Sequence, residues 1–290
     1  MSDEIERAYE KLAAWCRARG YAGHDPFDAL NSRLFQATPL RRSRLARLAW
    51  TQACKRSPFN LRALALVPEG KNPKGIALFA LAALARLRTL PTPETESEAR
   101  SLLDELLAAR LKGWSGAAWG YNFDWQGRAF YAPRGTPAVV PTAFAARALV
   151  EGWRALGVGE YMSAARSACD FVLRDLQRSE EAADEICFSY TPHDRTRVFN
   201  ASLLAGEVLA SAGAATGERE LSEWGVRAAR YVVRRQRGDG SWAYGADDYQ
   251  TWSDNFHTAF VLTSLSRIMA DCGSVGVLAA KDAEEFAHAL

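Results

Sequence analysis

Apolar positions recur every three to four residues along most of this chain, carried mainly by Ala and Leu, and alternating β-branched runs are nearly absent. That period predicts an all-α protein. An amphipathic helix is predicted over 3–19, ended by Gly20, and 20–32 is dense in Gly, Pro, Asp and Asn and reads as an ordered loop. Helix is predicted again over 40–54, breaking at KRSPFN. The stretch KGIALFALAALARLR (74–88) is apolar almost all the way round behind Pro73, so it should be buried on most faces. Pro91 and Pro93 mark a linker, 94–111 is amphipathic, and a long aromatic loop runs to Pro137.

Beyond that loop the pattern repeats. Helices are predicted to open at Thr142, Asn200 and Thr258, 58 residues apart in both intervals. Partner helices over 160–177 and 218–236 lie between them, with Ala168-x-x-Phe171 and Ala228-x-x-Tyr231 in equivalent positions. An aromatic triplet precedes each opening: Trp119-Gly-Tyr121, Phe188-Ser-Tyr190 and Trp242-Ala-Tyr244. One helical hairpin per unit is the mark of stacked repeats, which bury their faces only against neighbours. Such hairpins form either an open solenoid or a ring. Long aromatic loops on one edge favour the ring, an α/α toroid whose loops converge on one mouth. At this period the chain holds about five units, against the six of a standard ring, so the toroid is expected to be incomplete or built from five hairpins. One domain over 1–290 is expected, with N-terminal helices and a loop motif over 1–93 and hairpin repeats over 94–290.

Charge adds little to this picture. With 36 Lys+Arg against 34 Asp+Glu, nothing in the bulk balance suggests nucleic acid as a partner. No apolar run reaches the roughly 18 residues of a spanning helix, and the N-terminal segment lacks the pattern of a signal peptide, so a cytoplasmic location is the expectation. Five scattered cysteines (Cys16, Cys54, Cys169, Cys187, Cys272) suggest buried free thiols rather than disulfides or a zinc site. No metal or cofactor motif is present: HExxH, paired CxxC, GxGxxG and P-loop patterns are all missing.

The stretch AARYVVRRQRGDGSWAYG (228–245) resembles the glutamine-tryptophan repeat of squalene cyclases, with Gln236 and Trp242 in the tying positions. Longer segments, GHDPFDALNS (23–32), KRSPFNLR (55–62), WGYNFDWQGRAFYAPRGTPAVVPTAFAARAL (119–149), SYTPHDRTRVFNASLLAGEVLA (189–210) and WSDNFHTAFVL (252–262), are similar to prokaryotic toroid proteins related to the prenyltransferase and squalene-oxidase repeat group. That resemblance implies the toroid fold and a setting in surface-polysaccharide gene clusters. It carries over no catalytic residue. The family is longer, so the chain reads as a shortened member or as a ring closed by fewer hairpins.

Aromatic faces beside carboxylates and amides suit sugars, whose C–H faces stack on rings while their hydroxyls need partners. A free carbohydrate or a polyprenyl-linked sugar is the expected ligand. Trp119, Tyr121, Trp125, Arg128, Asp194, Asn200, Trp242, Tyr244, Trp252, Asn255, Asp25 and Asp28 are expected around it. A glycoside hydrolase needs two carboxylates flanking the bond, and Asp124 and Asp254 are the pair the loops offer. A lyase or epimerase needs Tyr or His as acid or base at the sugar C5, with Arg or Asn neutralising a uronate, and Tyr190, His193, Arg195 and Asn200 are the set for that purpose; His257 is a further catalytic candidate. Structural roles compete at each place. Asp124, Asp194 and Asp254 stand where Asp caps helices or organises turns, Asn200 and Thr258 where helices are capped, and His257 where a core histidine packs. Asp25 and Asp28 around Pro26 can fix a loop, and Trp242 with Gln236 reads as scaffold. Two readings from other classes remain open. One is a non-catalytic scaffold pairing with itself or another subunit through its C-terminal edge. The other is an isoprenoid-binding protein, disfavoured as a cyclase by the absent DxDD motif.

Overall fold

The computed structural model describes residues 3–127 and 130–290. Eleven helices carry the fold among them: α1 (Asp3–Ala18), α2 (Arg33–Gln36), α3 (Arg44–Arg56), α4 (Pro73–Thr89), α5 (Pro93–Ala108), α6 (Val139–Leu156), α7 (Gly159–Arg174), α8 (Phe199–Thr216), α9 (Arg219–Val233), α10 (Asn255–Ser274) and α11 (Ala280–Ala289). Two small antiparallel ribbons, β1 (Trp125–Gln126) with β2 (Tyr131–Ala132) and β3 (Arg178–Glu181) with β4 (Ile186–Phe188), lie in the loops.

Helix starts follow local chemistry. Asn72 accepts the Lys74 N–H ahead of Pro73, Thr92 and Thr95 form a capping box ahead of Pro93, and Asp254 accepts the His257 N–H at the head of α10. Asn200 and Thr258 lie inside their helices and cap neither of them. α6 begins at Val139, three residues ahead of Thr142, because the Ala138 and Val139 N–H groups are taken by the Trp119 and Tyr190 carbonyls.

The helices form four hairpins, α4/α5, α6/α7, α8/α9 and α10/α11. α4, α6, α8 and α10 pack in succession as an inner layer, with α5, α7, α9 and α11 outside, which is the expected α/α-toroid arrangement, with four hairpins among the described residues, as in the incomplete rather than the five-hairpin alternative. The array begins at Pro73, inside the segment assigned to the N-terminal part. α1 braces α4 through Arg86, which pairs with Glu6 and Glu10. α8 is buried on all sides from Phe199 to Ala210, pressed between α6, α7, α9 and α10. Its approach to α9 depends on Gly206 and Gly225: a Cβ on Gly206 would stand 2.8 Å from that of Ala228, and one on Gly225 would stand 2.9 Å from the Gly206 carbonyl oxygen. α4, expected to be buried on most faces, leaves one stripe exposed at Leu78, Ala82 and Ala85, having neighbours on fewer sides than α8. All five cysteines are free and buried. No helix among the described residues is long and apolar enough to cross a membrane.

Candidate functional site

The three aromatic triplets resolve into one design. The first member of each, Trp119, Phe188 and Trp242, is in the core at 0%, 0% and 2% exposure. The Trp119 and Trp242 indole N–H groups donate to the Leu106 and Val232 carbonyls, near the ends of α5 and α9. These tryptophans therefore tie each loop to the preceding outer helix, and their expected place against a ligand is corrected: neither reaches the cavity. The third member, Tyr121, Tyr190 or Tyr244, turns toward a single cavity of about 870 Å³ at the loop edge. The loop before α2, one face of α3 and the heads of α4 and α10 complete its walls.

The lining is mostly rings. Tyr121 stacks on Phe123, Trp125 meets Tyr190 at 5.1 Å between centroids, and Tyr244 stacks on Trp252 at 4.5 Å. Polar groups are few and specific, as suits a small-molecule site. The Tyr121 and Tyr190 hydroxyls are 3.0 Å apart, and burial pushes both well above the ordinary phenol range. Burial likewise pushes Tyr244 up to about 12. Asn200 is 6% exposed and lines the cavity with an Oδ1 that has no protein partner. An orphaned buried acceptor of this kind is costly unless a ligand or water donates to it.

The head of α10 supplies a His–Asp pair. Asp254 Oδ1 accepts the His257 N–H at 2.8 Å, and Oδ2 lies 2.7 Å from His257 Nδ1. Burial acts against the Asp254 charge, but the His257 N–H and ring outweigh it and hold the carboxyl below its ordinary value. Opposite in character is Asp25, raised by burial although the Phe27 N–H and Lys74 favour its ionised form. Lys74 also lines the cavity, its ammonium 4.8 Å from the Phe144 ring centroid and 5.3 Å from that of Phe260. Burial lowers its pKa, with Asp25 acting in the other direction.

Tyr121, Trp125, Tyr190, Asn200, Tyr244, Trp252, Asp254, His257 and Asp25 are thus brought together as expected. Others are not. Asp124 is turned away and spent on structure, accepting from Tyr131 Oη, the Arg134 N–H and Gln36 Nε2. The Asp124/Asp254 carboxylate pair is therefore not formed. His193 is exposed and packs on the edge of Trp114, outside the cavity. Asp194 lies beneath the second loop and accepts from the backbone and hydroxyls of both Thr191 and Thr196. Asp28 is buried as a loop organiser, paired with Arg62 and bonded to His24. Asn255 is exposed at the first turn of α10 and does not line the cavity. Arg128 lies outside the described residues.

The sequence reading missed Lys74, Phe130, Phe256 and Phe260. Lys74 had a signal: it is the only charge in α4 before Arg86, in a helix otherwise apolar to that point. Among the described residues no cluster of His, Cys, Asp and Glu has the makings of a metal site.

No protein-family model matches the sequence, and no curated protein matches it in sequence. Solved structures do match in fold. Cellobiose 2-epimerase from Bacillus thermoamylovorans aligns with a TM-score of 0.54 at 12% identity, over 75% of this chain and 59% of that one. An α-1,6-mannanase of Salegentibacter sp., in complex with α-1,6-mannotriose, aligns with a TM-score of 0.54 at 11% identity, over 84% and 67%. Unsaturated glucuronyl hydrolase from Bacillus sp. GL1 aligns with a TM-score of 0.52 at 16% identity, over 86% and 67%. The chain thus spans about three fifths of the epimerase's length, and at these identities the likeness is one of fold.

Proposed function

We propose that this protein binds a sugar in the ring-lined cavity and processes it by proton transfer, with His257 as the acid–base group and Asp254 as its positioning partner. The carrying observation is that the cavity's aromatic wall and the His257–Asp254 pair face the same space. When His257 Nδ1–H donates to Asp254, the Nε2 lone pair is left to take a proton, and the carboxylate stabilises the imidazolium that results. Tyr244, whose ring centroid is 4.6 Å from that of His257, fixes the imidazole from the side. Asn200 Oδ1 offers an acceptor for a sugar hydroxyl, and the Tyr121–Tyr190 pair, uncharged at neutral pH, has one O–H left to donate once the other is spent between the two rings.

Proton abstraction beside the carbonyl of an open-chain sugar, followed by return of a proton, is the reaction this pair suits best, giving epimerisation or isomerisation. The fold neighbours include an enzyme of that class and two hydrolases acting on sugars, which supports carbohydrate processing as the field of activity. One observation favours a second reading, glycoside hydrolysis. Asp25 and Asp254 line the same cavity with pKa values pushed in opposite directions, a pattern that separates a general acid from an ionised carboxylate. The resemblance to proteins of surface-polysaccharide gene clusters supports a biosynthetic setting for either reading, with a free or a polyprenyl-linked sugar as ligand.

The test is incubation with aldoses and disaccharides in D2O, followed by NMR. Deuterium appearing beside the carbonyl, lost in His257→Gln and retained in Asp25→Asn, is the expected outcome. New reducing ends that depend on Asp25 would transfer the assignment to the hydrolytic reading, and neither signal with any sugar, together with no sugar binding, would refute both.

A further inference from the structure

Between Asp28 and Glu69 the chain carries eight basic residues and no acidic one, although the whole chain is almost neutral. This segment contains α2 and α3 and is unusual in a second way. Leu34, Leu40, Leu45, Phe59, Leu64 and Leu66 are each at least half exposed, at 52%, 55%, 77%, 75%, 76% and 50%. Scattered exposed apolar side chains need no explanation, but five leucines and a phenylalanine within one basic stretch do.

α3 shows how the two properties are arranged. Leu48, Gln52 and Lys55 face the ligand cavity, whereas Ala46, Ala49, Trp50 and Ala53 face a separate groove of about 560 Å³. That groove is closed by Leu34, Phe35 and Leu40 and has Thr38 as its one polar lining residue. Leu45, Ala49 and Ala53 form an exposed ridge between the two hollows, at i, i+4 and i+8. Arg41 and Arg42 lie just before α3, Arg56 at its last residue and Arg33 at the start of α2; all four are exposed, and none of them makes an ion pair among the described residues.

We propose that this face docks on an anionic phospholipid bilayer, its arginines against the headgroups and its leucines in the interface. The pairing of unpartnered charge with exposed aliphatic side chains matches a membrane surface, which supplies both a negative potential and an apolar layer at one depth. Nucleic acid would use the arginines and leave the leucines without a partner. An acidic protein is the other class of occupant. Because α3 also walls the sugar cavity, docking sets the cavity beside the bilayer, where a sugar carried on a lipid is presented. This last step rests on the cavity being a sugar site; the docking does not.

The experiment is co-sedimentation of the full chain with vesicles of phosphatidylcholine alone or with one third phosphatidylglycerol, at low salt and at about 0.5 M salt, where screening collapses surface attraction. Binding to the anionic vesicles alone, lost at high salt, is expected. Arg41→Glu combined with Arg42→Glu lowers the partition coefficient at least about tenfold, as does Leu40→Ser with Leu45→Ser, while Arg219→Glu on α9 leaves it unchanged. Melting curves show which variants are folded, and the paired charge and leucine variants keep the test open should one pair fail to fold. Turnover of a soluble sugar stays at the wild-type level in both, so loss of vesicle binding is separable from loss of the sugar site. No binding to anionic vesicles at low salt would overturn the proposal, as would binding indifferent to both variant pairs, or capture by a polyglutamate matrix without capture by vesicles.

Discussion

Asp194 offers the sharpest division between a structural and a chemical role in the second loop. At 8% exposure, its carboxylate accepts from the Thr191 N–H and hydroxyl at 2.7 Å each, from the Thr196 hydroxyl at 2.6 Å and N–H at 2.9 Å, and from the Tyr190 N–H at 3.4 Å. Asp194→Ala strips these donors of their acceptor. A bond to a charged group contributes about 1.5–3 kcal/mol, and orphaned buried donors cost about 1–3 kcal/mol each unless water reaches them. Allowing water to rescue some of them, the loss is about 4 kcal/mol. The unfolding entropy of a chain this long is about 0.6 kcal/mol/K, so Tm falls by about 7 °C. Asp194→Asn keeps one acceptor oxygen and falls by about half as much. Both are read by calorimetry, with sugar binding measured well below Tm. Binding weakens because Tyr190 and Thr196, which line the cavity, lose their support. A melt within 1–2 °C of wild type with turnover abolished would refute the reasoning and make Asp194 a participant in chemistry.

Trp242→Phe removes the indole N–H from the Val232 carbonyl and leaves a void beneath the third loop. It lowers stability by about 2 kcal/mol in urea unfolding while the folded fraction binds sugar normally. Asp254→Ala removes the α10 cap and lowers stability by about 1 kcal/mol. Because the folded pKa of Asp254 is depressed, its contribution is present above about pH 4 and fades as pH falls through the folded value, so wild type and variant converge in acid melts. The Cys169, Cys187 and Cys272 thiols, pushed up to about 12 by burial, resist a disulfide reagent in the native protein at pH 8, and all five thiols react in denaturant.

The helices were legible because a 3.6-residue period reports which face is covered, and the 58-residue repeat made the three loops comparable. What the repeat could not separate was the first aromatic of each triplet from the third. Trp119 and Tyr121 are both large rings beside a glycine, and only packing sends one under α6 and the other into the cavity. Asp124 was read as a carboxylate of the first loop facing across the mouth, yet Gln36, distant in the chain, and Tyr131, farther along the same loop, hold it away. Lys74 escaped notice for the opposite reason. It opens a stretch read only for its apolar residues, and its burial among Phe144, Phe256 and Phe260 arises from long-range contacts with α6 and α10.

The central claim is that the ring-lined cavity is a sugar site, and saturation-transfer NMR tests it most directly. With a panel of aldoses and disaccharides, wild type is predicted to transfer saturation to the C–H face of a bound sugar. Tyr244→Ala and Trp252→Ala, each removing one ring of the stacked pair, are predicted to abolish that transfer while the fold is retained. Transfer of equal strength in both variants, or none from wild type to any sugar, would contradict the account.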